Sequence, residues 1–190
     1  TLNPTPLQAM KPADTQAARI QWGIELETRL PATAHVAVGA YHNGTPVHAG
    51  LTLSGQRLEA PVFSGGSRWK AERDGSIQCD PGQVPCEFVS PILQGEDGVD
   101  HLIAFVGWMN AIGASVNASC GCHITVGIES VIGTSDTKAV SEFIRKLAHI
   151  GRWHARSLYG QTGTGRHLNH YSHPLYEQTG STMRKMITCE

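Results

Sequence analysis

Two glutamates two residues apart, Glu25 and Glu27 in the stretch Trp22-Gly-Ile-Glu-Leu-Glu-Thr28, point most directly to chemistry. In a β-strand, successive side chains alternate faces, so both carboxylates project to one side while Ile24 and Leu26 project to the other. At about 3.3 Å of rise per residue they stand roughly 6–7 Å apart. Like charges that close, once shielded from water, require a cation or a shared proton. A hard divalent ion such as Mg²⁺ answers that need, because it takes oxygen ligands and stays largely hydrated. The plainer alternative is an amphipathic strand with a wet acidic face. Glu87 and His123 are further candidates, each with its own plain reading. Glutamate is rarely buried unpaired, so Glu87 alone reads equally as a surface carboxylate. A histidine on an apolar strand reads equally as a hydrogen-bonded core residue. Arg166, after Gly163-Thr164-Gly165, faces either a phosphate or water.

The elements that must position these groups belong to a chain of 190 residues, enough for one domain with a real hydrophobic core. Hydrophobic residues make up 40% and charged residues 16%, which excludes a disordered composition. A formal net charge of −1 provides no basic surplus for nucleic acid. No apolar run has the length of a membrane span and no signal-peptide core is present, so the expected location is cytoplasmic. Five cysteines are an odd number and too sparse for a disulfide scaffold. Cys120-Gly-Cys122-His123 is too tightly spaced for half of a structural zinc site, and no Cys-x-x-Cys pair accompanies it.

In chain order, the proline-containing residues 1–18 read as an extended leader and 19–190 as the folded domain. The acidic strand is expected over 19–30, stopped by Pro31. Residues 35–48 read as a hairpin turning at Asn43-Gly44, with Val36, Val38 and Tyr41 on one arm and Val47 on the return. A strand is expected over 86–93, with Pro91 near its exit. Asp97 is the expected cap of a helix whose apolar side is Val99, Leu102, Ile103, Val106 and Met109, stopped by Gly113. Residues 115–128 read as a strand. Ser135 is the expected cap of a second helix with Val140, Phe143, Ile144, Leu147 and Ile150 on its buried side, ending near Gly160. Residues 167–187 are weakly helical in pattern. Hairpin-like groups of strands with inserted helices predict an α+β fold with a mostly antiparallel sheet.

Four segments fall in a telling order: Gly23-Ile-Glu25-Leu-Glu27, Asp74-Gly-Ser76-Ile77, Glu87-Phe-Val-Ser90-Pro91, and 117–126 with His123. In that order the chain resembles the amidoligase family, carboxylate–amine ligases that share the glutamine synthetase and glutamate–cysteine ligase fold. The resemblance covers roughly residues 20–175 and implies a funnel-like sheet whose inner acidic face holds Mg²⁺ (Mn²⁺ is the alternative ion) and ATP. It implies Glu25, Glu27 and Glu87 as catalytic metal ligands and His123 as a further ligand. It places Asp74, Ser76 and Ser90 near the carboxylate substrate and Thr125 near the nucleotide; Arg166, read from its glycine-rich loop rather than from the resemblance, is the other nucleotide candidate. It implies a peptide or protein carboxylate and an amine donor as partners, and leaves an oligomer open. Joining a carboxylate to an amine is uphill in water, so the carboxylate must first become an acyl phosphate. That transfer depends on positioned metal ions rather than on a nucleophilic side chain.

Two departures from the family pattern stand out. The second histidine of its Gly-x-His-x-His motif is Thr125 here, which removes an expected phosphate contact. The C-terminal strand with its Glu-x-Arg pair has no match before Glu190, so the chain is expected to be a fragment lacking those strands. Both features favour the alternative of an inactive relative that binds a peptide or protein partner in the same funnel. A third reading, a hydrolase using Cys120 or Cys122, requires a thiolate that only His123 is near enough in sequence to favour.

Overall fold

The computed structural model describes residues 17–162 together with 165 and 168; most of the expected leader and all of 169–190 lie outside the described residues. The chain divides after Gly127 into two compact units. The first holds β1 (Gln21–Pro31), β2 (Thr45–Pro46), β3 (Ala49–Leu51), β4 (Arg57–Glu59), β5 (Lys70–Glu72), β6 (Gln83–Val89), β7 (Leu93–Gln94), α1 (Gly95–Ala111) and β8 (Cys122–Val126). The second holds α2 (Ile128–Ile132) and α3 (Thr137–Thr162). The expected mixture of a mostly antiparallel sheet with helices is what forms.

The main sheet runs β2-β5-β6-β1-β7, with β8 on the other edge of β1. Every ladder in it is antiparallel. Period-two alternation in β1 sends Ile24, Thr28 and Leu30 into the core together with Leu26 at its margin. Cys86, Phe88 and Ala71 lie opposite them on β6 and β5 and are fully buried. Helix α1 covers this face. Its Phe105 ring stacks on Trp69 at 3.9 Å and 3°, and Phe88 meets Phe105 edge-on at 5.3 Å. The polar atoms that the aromatics carry inward are satisfied. Trp69 Nε1 donates to His101 Nε2 at 3.0 Å, and Trp108 Nε1 donates to the Leu58 carbonyl at 3.1 Å. Burial lowers the pKa of His101, which keeps its ring neutral and able to accept that bond.

The buried side of α1 differs from the expected aliphatic stripe. Leu102 and Met109 do pack on the core, but Val99, Ile103 and Val106 face solvent, and His101, Phe105, Trp108 and Ile112 take their place. Phe105 and Trp108 bury far more apolar area than the valines would, so they set the helix's rotation. The helix opens at Gly95 rather than at an Asp97 cap, with Glu96 and Asp97 in its first turn near the positive end of the dipole. Gly113 ends it as expected. With φ +80 it lets its own N–H reach Asn110 O and that of Ala114 reach Met109 O, a paired C-terminal closure.

Three strand expectations are revised. The hairpin over 35–48 does not form as a ladder. Its turn is Ala40–Asn43, with His42 left-handed at φ 57, and both arms are claimed by β5. Gly39 N donates to Ala71 O and Val47 N to Trp69 O, which buries Val47; Pro46 has no N–H to offer a hairpin partner. The strand expected over 86–93 breaks at Ser90-Pro91 into β6 and β7. The strand expected over 115–128 shrinks to β8 plus a lone bridge between Ser115 and Arg29, because 117–120 curl into a turn closed by Asn117. In the second unit, Asp136 rather than Ser135 caps α3, accepting the Ala139 N–H at 2.9 Å. Leu147 and Ile150 are exposed, since among the described residues of that unit only the short α2 is available to cover them. No helix among the described residues is long and apolar enough to cross a membrane.

Replacing Phe105 by Ala is expected to lower the unfolding free energy by about 3–5 kcal/mol, read from urea denaturation. The exposed Ile103→Ala should stay within about 0.5 kcal/mol of the parent.

Candidate metal centre

The face of the sheet away from α1 carries the acids. Register aligns Glu72, Glu87 and Glu27 in one row across β5, β6 and β1, and aligns Val89, Glu25 and His123 in the next across β6, β1 and β8. Cross-strand partners share a face, so all five polar groups converge on one surface. Glu27, Glu72 and Glu87 are buried at 8%, 6% and 6% exposure, while Glu25 is half-buried and His123 is exposed. Asp74 joins them from the loop after β5.

Two overlapping sets of ligand atoms result, each with its members within 4.8 Å of one another: Glu25, Glu87 and His123, and Glu27, Asp74 and Glu87. Glu87 belongs to both. Its pKa is pushed up to about 7, first by burial and then by the charges of Glu25, Asp74, Glu27 and Glu72. Carboxylates packed this closely demand neutralisation. The guanidinium of Arg29, two residues beyond Glu27 on the same face, is turned to Asp80 at 2.8 Å. A set of carboxylate oxygens and one imidazole therefore fits a hard divalent cation.

The ligand positions are set by backbone. Gly121 N donates to Glu27 Oε2 at 2.7 Å, and Glu27 N in turn donates to Gly121 O at 3.1 Å. A Cβ on Gly121 would lie 2.9 Å from Glu27 Oε1 and 3.3 Å from His123 Nε2, so a side chain there would push the Glu27 carboxylate from its present position. His123 Nδ1 lies 3.1 Å from Glu25 Oε2 and its Nε2 lies 3.9 Å from Glu27 Oε1. The turn that presents Gly121 is laced to the loop before β6: Asn117 Nδ2 donates to Gln78 O and Gln78 N donates to Ser119 Oγ.

The remaining sequence-derived candidates fall in several places. Asp74 Oδ1 accepts the Ser76 N–H at 2.7 Å, which shapes the loop, and Ser76 is exposed. Ser90 stands at the break after β6; its hydroxyl accepts the Ile24 N–H and donates to Pro91 O. Thr125 is exposed on β8, opposite Gly23 and on the same face as His123. Arg166 lies outside the described residues. Glu72 was not among the candidates. The alternation Lys70-Ala-Glu72 marked its face, but only the β5–β6 register brings it beside Glu87.

The thiol reading loses support at Cys122, whose pKa is raised by desolvation and by the charge of Glu27, against thiolate formation. The family model described as "Putative amidoligase enzyme" matches residues 18–174. The chain belongs to this amidoligase family. No curated protein and no solved structure matches it. Family membership places the amidoligase among the ligases, and its matched span includes every strand that contributes to the acidic face.

Two outcomes follow for the amidoligase. In a chelating buffer, Glu87 binds a proton more tightly in the folded chain (about 7) than its reference value of 4.5. The folded state then holds the extra proton between those values, so this contribution is full below the lower value and lost as pH rises through the higher. Thermal midpoints in EDTA should fall over that window, and adding Mg²⁺ at the upper end should restore them. Gly121→Ala should displace Glu27 and weaken Mg²⁺ binding by about tenfold or more, measured by calorimetric titration.

Proposed function

We propose that this amidoligase is an ATP- and Mg²⁺-dependent enzyme that joins a carboxylate to an amine through an acyl phosphate, acting on a peptide or protein. The observation that carries the reading is Glu87 shared between two ligand sets on one face of the sheet. Glu25, Glu27, Glu87 and His123 are the metal ligands in this reading, with Asp74 completing the second set. Bound there, divalent cations would supply charge neutralisation for phosphoryl oxygens. In chemical balance, a substrate carboxylate oxygen attacks the γ-phosphorus and ADP departs. The amine nitrogen then attacks the acyl carbon, inorganic phosphate departs, and the surplus amine proton is released.

The residues' own contributions are orientation and charge. The Gly121 N–H fixes one oxygen of Glu27 and leaves the other facing His123. A neutral His123 that donates from Nδ1 to Glu25 keeps the Nε2 lone pair available as a ligand. In this reading Arg166 faces the nucleotide phosphate and Thr125 lies near the nucleotide without the phosphate contact of the histidine it replaces, while Asp74, Ser76 and Ser90 are assigned to the acyl substrate. A funnel of the glutamine synthetase type and a cytoplasmic location belong to the same reading.

Thr125, standing where the family pattern has a second histidine, favours a second reading: an inactive relative that binds a peptide or protein partner on this face. Calorimetric titration of Mg·ATP into the chain and into Glu27→Gln separates the two. Magnesium-dependent binding that is lost in the variant supports the ligase. Absence of binding to the unaltered chain, and to the longest natural form, supports the inactive binder.

A further inference from the structure

The two ligand sets are mounted differently. Glu25, Glu87 and His123 all stand on strands joined by backbone ladders, β6 to β1 and β1 to β8. The second set takes Glu27 and Glu87 from the same strands but Asp74 from the loop between β5 and β6. A ligand on a loop keeps its place only where neighbouring groups lock the loop. Gln78, four residues after Asp74, supplies that lock through the turn at 117–120. Its carbonyl accepts from Asn117 Nδ2 at 2.9 Å, and its N–H donates to Ser119 Oγ at 2.9 Å. Asn117 Oδ1 in turn accepts the Ser119 N–H at 2.9 Å and the Ser119 hydroxyl at 2.6 Å. Cys120 N donates to Asn117 O and completes the turn, and the next residue is Gly121, whose N–H holds Glu27. One side chain thus joins the turn that aims Glu27 to the loop that carries Asp74.

We propose that Asn117 is a positioning residue that makes the set of Glu27, Asp74 and Glu87 competent for a divalent cation, while the set of Glu25, Glu87 and His123 forms without it. This takes its cation from the metal-dependent ligase reading and adds that the two sets have separate supports. An amide suits the task, because its oxygen closes the turn while its NH₂ donates across to the loop. A carboxylate at 117 has no such donor, and a hydroxyl mimics the turn from a shorter side chain. Ile77 is buried and anchors the loop by itself, so removing the Asn117 tie misplaces Asp74 without detaching the loop.

The test counts Mn²⁺ ions on the full chain by electron paramagnetic resonance, without nucleotide, in the unaltered chain, Asn117→Ser and His123→Ala. The unaltered chain is expected to hold two ions that share Glu87 and give an exchange-coupled spectrum. Asn117→Ser should weaken one ion by about tenfold or more, leave the other within about twofold, and give the spectrum of a single ion. His123→Ala should weaken the complementary ion, and the double variant should lose both. Two ions of unaltered affinity in Asn117→Ser overturn the proposal. Equal weakening of both ions overturns it too, since a general loosening of the fold would do the same, and so does an unaltered chain that holds fewer than two. If the unaltered chain holds two Mn²⁺ ions and Asn117→Ser drops one, yet Mg·ATP does not bind, the ligase reading falls and the role of Asn117 stands.

Discussion

Electrostatic repulsion among carboxylates brought together on one sheet face is the constraint on which the rest of this structure depends. Glu25, Glu27, Glu72, Glu87 and Asp74 surround one another, and three of the glutamates are more than nine-tenths buried. Such a face resists formation unless something stronger holds the strands in register. The opposite face provides it: Phe88, Trp69, Phe105 and Trp108 interlock, and their burial fixes which residues of β1, β5 and β6 point away from them. Because strand alternation has a period of two, the aromatic choice on one side dictates the acidic assembly on the other. Core and site are thus two sides of the same registration.

Much of this was legible in the sequence, and the reasons differ by residue. Glu25 and Glu27 were readable because alternation is local. The position of α1 and its stop at Gly113 were readable because apolar periodicity and a left-handed glycine are also local signals. The rotation of α1 was not, since Val99, Ile103 and Val106 satisfy the same periodicity as the residues that are buried. Deciding between them takes the shape of the opposing sheet, where Trp69 and Phe88 offer aromatic partners.

The Asn43-Gly44 signal misled for a related reason. Turn propensity specifies a reversal, but not whether the two arms bond to each other or to a third strand. Here β5 captures both, and the reversal falls on Ala40–Asn43. Glu72 escaped notice because its importance is a matter of register alone: nothing in its own neighbourhood in sequence says that Glu87 lies across from it. The family resemblance supplied what local reasoning could not, namely that Glu87 and His123 belong with the first two glutamates.

The contact between Glu27 and Gly121 spans 94 residues, and that between Glu25 and His123 spans 98. The entropy of closing such loops must be met before either contact contributes anything, so the last ligand arrives only when nearly the whole first unit is already ordered. During synthesis, the first two glutamates emerge about a hundred residues ahead of the turn that completes their site. A chain interrupted anywhere before Gly121 would carry the acidic strand without its closing partner. Assembly of the cluster is therefore a late folding event, and a divalent cation that prefers the completed set would act as a clamp on the finished topology rather than as a seed for it.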